Sequence, residues 1–456
     1  MTRKTQPRRK RNLTLVNPNA AAIDIGATIL VAAVSPRCDP EPVRTFGTFT
    51  ADLHRLAAWL EQCGVKTVAM ESTGVYWIPL FEILEQHGFD AILVNAREAK
   101  QVPGRKSDVS DAEWLQRLHK YGLLRASFRP TGEIATLQSY LRQRERLLDA
   151  AATHIQHMQK ALTEMNLQLH HVVTDVTGAT GLRIMRALVG GERDPDKLAP
   201  YRDPHCKASA ETLRAALVGN DREEHVFALA QALELYEIYQ VKVAACDERI
   251  AVVLERMKDA HPAPPAALPP PRYKRPQACE PGVPVREALH AILGVDLTQI
   301  HGIGPYLALK LVSECGTDLS AWPTSKHFTS WLSLAPHNKI SGARCCRRAR
   351  AAPAVEWRPC CGWRRRRWGA LRRRWAPSIA AWPPALKAKA VTATARKIAV
   401  FSSTTPFAIA WTTLDPGASY YEEGYRQRVL SNVRRRAKSL GYALQRMEPT
   451  PAAAVS

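Results

Sequence analysis

The chain has 456 residues and a mass of 50.7 kDa, a length that fits two or three domains. With 46% hydrophobic and 23% charged residues it has the composition of a globular protein, which excludes wholesale disorder and a collagen-like fold. Lys and Arg number 64 against 42 Asp and Glu, and a net charge of +22 points to a polyanionic partner, nucleic acid before others.

Six basic residues fall within the first twelve and no apolar core follows them, so a secretory signal is not expected. No apolar run approaches the roughly 18–20 residues of a membrane span. The expected setting is therefore the cytoplasm, facing nucleic acid, with 1–19 as a basic disordered tail and no membrane partner. Residues 20–35 predict a strand, a turn at Gly26 and a second strand. A helix follows over 51–63, a short buried strand over 65–72, a helix over 76–88 interrupted early by Pro79, and another buried strand over 90–95. A further helix is expected over 109–120. Strands and helices in this alternation suggest a three-layer α/β domain spanning 20–130.

From 134 to 168 apolar residues recur at three- and four-residue spacing, which predicts a long amphipathic helix or coiled-coil arm. Residues 226–257 read as its antiparallel return, and 131–260 is assigned to this arm. Nine prolines between Pro262 and Pro284 mark a semi-rigid linker over 261–285. A mostly α-helical domain is expected over 286–445, with a tail at 446–456. Within it, 297–316 reads as helix, Gly-Ile-Gly-Pro turn, helix. Such a helix-hairpin-helix-like element presents N–H groups near Gly302 and Gly304 as a phosphate cradle, or else is a tight turn between packed helices. Phe328, Trp331, Leu332 and Leu334 form the next helical face, and Ser341-Gly342 follows a polar turn. Six of the ten cysteines are scattered and four form two adjacent pairs, with no C-x2-C spacing, which argues against zinc or a disulfide framework.

Residues 343–386 break the pattern: twelve Arg, one acid, five of the eleven Trp and four of the ten Cys. WRRRRW and LRRRW cannot bury one face as helix or strand. Either this is an Arg/Trp nucleic-acid arm, or a GC-rich coding sequence is read here in a shifted frame, as again at 401–413. The ordinary text on both flanks favours the shifted frame.

Four acids stand out: Asp24 in IDIG, Glu71 in AMES, and Asp108 and Asp111 in KSDVSDAEWL. Acids at i and i+3 share a helix side, and strand-end carboxylates can converge on it. Clustered carboxylates repel one another unless a cation neutralises them, and oxygen-only donors suit Mg²⁺. Two such ions can activate a nucleophile and stabilise the leaving oxygen of a phosphodiester. Taken singly, each acid reads as a turn or helix cap. Around them Arg97, Lys100, Arg105 and Lys106 supply cations for a DNA backbone.

The strings IDIG, MESTGVYW and N-A-R-x-x-K-x-V-P-G-R-K-S-D-x-x-D-A resemble the N-terminal domain of the insertion sequence 110 family of transposases. The resemblance implies an RNase H-like (RuvC-type) fold with an Asp-Glu-Asp-Asp site on Asp24, Glu71, Asp108 and Asp111, holding Mg²⁺ as two ions, with Mn²⁺ as a substitute. The stretch HFTSWLSLAPHNKISG is similar to the C-terminal domain of the same transposases, also named after insertion sequence 116, and places the family's serine nucleophile at Ser341. It further implies a composite site between subunits of a dimer or tetramer, DNA as substrate and a structured RNA from the element as guide. Two other functions fit the residues alone: a RuvC-like structure-specific nuclease using water, and a catalytically dead nucleic-acid-binding remnant.

Overall fold

The computed structural model describes residues 14–71, 74–95, 108–130, 132–262, 264, 267–271, 280–300, 303–332, 336–341, 344–350, 417–439 and 441–443. The chain forms two compact units, 1–129 and 130–456.

In the first unit, β1 (Ala20–Ile25) and β2 (Ile29–Ala33) form an antiparallel hairpin. Its turn is closed by Gly26, whose N–H donates to the Ile29 carbonyl at 2.9 Å. A Cβ there would stand 2.8 Å from that oxygen, so only glycine fits. β3 (Val43–Gly47) adds antiparallel to β2, and is a strand the sequence did not announce. α1 (Thr50–Gln62) follows, then β4 (Thr67–Glu71), α2 (Trp77–Gln86) and β5 (Asp90–Val94). Pro79 does not interrupt α2. It is the helix's third residue, where a backbone N–H would have no intrahelical acceptor. The sheet order is β3-β2-β1-β4-β5, with β1, β4 and β5 parallel. This mixed five-stranded sheet with flanking helices is compatible with an RNase H-like domain.

Side-chain alternation divides the sheet into two faces. Ala21, Ile23 and Ile25 of β1 join Val68 and Met70 of β4, packed under Leu53, Leu56 and Leu60 of α1 and Leu80 and Leu84 of α2. The opposite face belongs to α3 (Asp108–Lys120): Ala22, Ala69 and Val94 pack on Leu115, and Val31 and Ala33 on Ala112. Each buried Leu or Ile contributes roughly 1.5–3 kcal/mol, so the layer of α1 and α2 is firmly held.

In the second unit, α4 (Gly132–Glu164) and α9 (Glu223–Asp259) lie antiparallel, joined along their length by Glu133–Arg256, Arg144–Asp247 and Glu164–His225. At one end α5 (Leu169–Val172), α6 (Ala179–Val189), α7 (Pro195–Leu198) and α8 (Ala210–Ala216) close a core containing Met158, Leu162, Ile184, Met185, Leu213 and Leu229. Local caps start the last two: Asp194 accepts from the Asp196 N–H, and Ser209 from that of Thr212.

At the other end α10 (Val285–Leu293) and α11 (Pro305–Cys315) share one core with Leu137 and Leu141 of α4 and Ile250, Val253 and Leu254 of α9. The Pro-rich segment is pinned onto this end. Arg286 donates to the Pro269 carbonyl, Gln299 to that of Pro270 at 3.1 Å, and the Gly282 N–H to Asp247 at 3.0 Å. The expected helix before the Gly-Ile-Gly-Pro turn is a 3₁₀ turn, Leu297–Gln299. Asp296 folds back on it, accepting from Thr298 N–H and hydroxyl, which leaves too short a segment for an α-helix.

α12 (Ser325–Trp331) buries Phe328 against Trp322 and Trp331, as its spacing predicts. Leu334, expected on the same face, lies outside the described residues. β6 (Pro336–Ser341) and β7 (Arg344–Arg350) then pair antiparallel, with an irregularity between Lys339 and Ile340. The Arg-rich text from 343 thus begins in a strand, because backbone pairing needs no apolar period. Residues 351–386 and 401–413 lie outside the described residues. α13 (Gly417–Ser439) carries Arg434, Arg435, Arg436 and Lys438 exposed. Among the described residues no helix is long and apolar enough to cross a membrane.

Candidate active site

Four carboxylates were expected to converge, and the backbone shows how far the fold allows it. The parallel register between β1 and β4 runs from Ala20 opposite Thr67 to Ile23 opposite Met70. Asp24 and Glu71 are the next residue on each strand. They stand level at the carboxyl ends of adjacent strands, about 4.8 Å apart across the ladder. Asp24 alternates with Ala22, and Glu71 with Ala69, so both project from the face that α3 covers. Both are half-buried and each has an interaction partner.

The remaining two acids lie on α3, whose direction is set by its other end. Gln116 donates from Nε2 to the Ala20 carbonyl at 3.0 Å, in the buried interior. His119 Nε2 lies 2.9 Å from the Thr67 hydroxyl, which itself donates to the Asp90 carbonyl at 2.9 Å. The hydroxyl proton being used there, His119 is the donor in the first bond. The C-terminal end of α3 therefore sits over the first residues of β1 and β4, and its N-terminal end lies toward Asp24 and Glu71.

From Gln116 to Asp108 is eight residues, about 12 Å of helix. From Ala20 to Asp24 is four residues, about 13 Å of strand. Asp108 thus opens the helix at the height of Asp24, and Asp111, half-buried, follows one turn further in. Asp111, Ala112 and Leu115 belong to one stripe, of which Ala112 and Leu115 touch the sheet. Among the described side chains no group of three or more His, Cys, Asp or Glu is gathered closely enough to hold a metal ion. The Asp108 side chain is not among them.

Other expected site residues are placed as follows. Arg97, Lys100, Arg105, Lys106 and Gly302 lie outside the described residues. Gly304 is the N-cap of α11, with Pro305 in the first helical turn. Ser341 ends β6, opposite Arg344 across the hairpin. Sequence reasoning passed over Gln116 and His119. Their signal was present: two polar residues on the apolar stripe of an amphipathic helix, 5% and 4% exposed once folded. Burial also pushes the His119 imidazole below its usual value, partly opposed by the Asp90 charge.

Comparison with known proteins adds two matches and one blank. A family model of the DEDD, IS110 type, described as a transposase, matches residues 21–167 and so contains Asp24, Glu71, Asp108 and Asp111. A second, the transposase IS116/IS110/IS902 family, matches residues 296–355 and contains Ser341. No curated protein matches the chain. With an α/β unit of the expected kind carrying the first match and the segment around Ser341 the second, both matched segments are those of IS110-family transposases.

Proposed function

We propose that the protein is a transposase that cuts and rejoins DNA with a divalent-metal site of Asp24, Glu71, Asp108 and Asp111 and with Ser341 as nucleophile. The observation that carries the metal site is the level pair Asp24 and Glu71 at the strand ends toward which α3 begins. The donor chemistry fits: four carboxylates offer hard oxygen ligands and need a cation among them, which suits Mg²⁺, with Mn²⁺ as substitute. When bound, the ions supply Lewis-acid stabilisation of charge on the phosphodiester oxygens.

The chain's own groups do the rest. The carboxylates fix the cation, and Arg97, Lys100, Arg105 and Lys106 hold the DNA backbone nearby. Gly304 at the N-cap of α11, with Gly302 before it, offers N–H groups to a phosphate. Ser341 Oγ, losing its proton to a base, attacks phosphorus; the bond to the leaving strand's oxygen breaks, and that oxygen departs as a hydroxyl. The resulting phosphoserine conserves the phosphodiester's bond energy, so attack by a strand hydroxyl rejoins DNA and returns the serine. An element-encoded guide RNA is part of this reading, supported by the family likeness and the excess of basic residues. Assembly through α4 and α9 is supported by Phe227, Ile238, Val241 and Val252, apolar side chains left exposed along α9.

Trapping tests the serine step. Protein incubated with element-end DNA and Mg²⁺, then denatured, is expected to retain a covalent DNA adduct that Ser341→Ala lacks. Cleavage that persists in Ser341→Ala without any adduct contradicts the serine mechanism and favours hydrolysis by water.

A further inference from the structure

The end of α3 remote from the acids is held by more polar contacts than packing requires. Besides the Gln116 and His119 bonds, the His119 carbonyl accepts from Asn17 Nδ2 at 2.9 Å. The Lys120 carbonyl accepts from the N–H groups of Val16 and Asn17 at 3.1 and 3.0 Å. Lys120 Nζ reaches the Ser35 hydroxyl at 3.1 Å. The segment entering β1 thus caps the helix C-terminus, while two buried side chains tie the helix to the first residues of β1 and β4.

Apolar contacts alone would not fix this register. Ala112 and Leu115 meet Ala22, Val31, Ala33 and Ala69, small or branched residues over which a helix can slide. A buried hydrogen bond is directional, and breaking it leaves an unsatisfied group in the interior. A slip of one helical turn, about 5.4 Å, would break both tethers and carry Asp108 and Asp111 past Asp24 and Glu71.

We infer that Gln116 and His119 are positioning residues that set the axial register of α3 on the sheet, and through it the level of Asp108 and Asp111 against Asp24 and Glu71. The inference rests on the metal-site reading above. Neither residue touches the reacting atoms; they act through the helix they anchor.

The test is Mn²⁺ binding to the full chain, followed by calorimetry without DNA. Gln116→Met and His119→Phe each remove one tether while filling its volume, so if one misfolds the other decides. Each is expected to weaken Mn²⁺ binding about tenfold, the order seen when residues behind a metal's ligands are lost. His119→Gln, which keeps a donor for Thr67, is expected to restore it. Unchanged affinity in the folded tether variants, with binding abolished by Asp111→Asn, overturns the positioning role and leaves the metal site standing. Unchanged affinity in Asp111→Asn as well overturns the metal site, and the inference with it.

Discussion

Loss of Asp247 is expected to loosen the junction of the two long helices. Its carboxylate accepts from Arg144 Nε at 2.5 Å and from the Gly282 N–H at 3.0 Å. The side chains of Arg144 and Asp247 are 3% and 13% exposed, so solvent screens the pair little. The pair interrupts an otherwise apolar seam, with Leu141 and Ile250 on one side and Ala151 and Leu233 on the other. Asp247→Leu removes this carboxylate from a buried guanidinium, a change that costs about 3–5 kcal/mol. Asp247→Leu combined with Arg144→Met is expected to recover most of this, since an apolar pair of similar volume avoids the desolvation. Glu255→Ala is the control: its ion pair with Lys258 is about half exposed on both sides and is worth about 0–1 kcal/mol. Urea unfolding of the full chain, followed by far-ultraviolet circular dichroism, reads all three because α4 and α9 supply much of the helical signal. An Asp247→Leu loss no larger than the control's would refute the reasoning.

Three further predictions each concern a single residue. Asp296 is buried, which raises its pKa, but hydrogen bonds from Thr298, Gln299 and Arg286 outweigh that and hold it below the usual range. Its contribution to stability is therefore complete above about pH 4 and lost as pH falls through the folded value; Asp296→Asn should flatten this acid limb in pH-dependent unfolding. His119, depressed by burial, stays neutral in the fold while the unfolded chain takes up a proton below about pH 6.5, so stability of the α/β unit should fall as pH drops below that value. His119→Gln should remove the slope, and an unchanged slope would exclude His119 as its source. Gly181→Ala would bring a Cβ to 2.0 Å from the Val176 carbonyl oxygen, a backbone atom that cannot swing away; thermal unfolding should show a loss of about 1–3 kcal/mol.

How much was legible in the sequence depended on whether an element carried its own pattern. The β1–β2 hairpin, α1 and the long helices α4 and α9 did, through apolar runs or sustained spacing. β3 did not: Val43–Gly47 is half-buried with no alternation, and it becomes a strand by pairing with β2. The short helices α5 to α8 depend on one shared core, which no local window displays. The 3₁₀ turn at Leu297–Gln299 is set by Asp296 bonding its neighbours, a competition that apolar spacing does not register. In the site, the acids and their order could be read, but their relative height could not, because Gln116 and Ala20 meet across 96 positions of sequence.

The central claim is that the acids serve a metal rather than the fold. Asp108→Asn removes one negative charge at the start of α3 and preserves side-chain size. DNA binding and Mg²⁺-dependent strand cleavage measured on the same preparation test it most directly. Cleavage is expected to disappear while DNA binding stays equal or tightens, since one repulsive charge is gone. Cleavage that survives, or DNA binding that collapses together with it, would contradict the account.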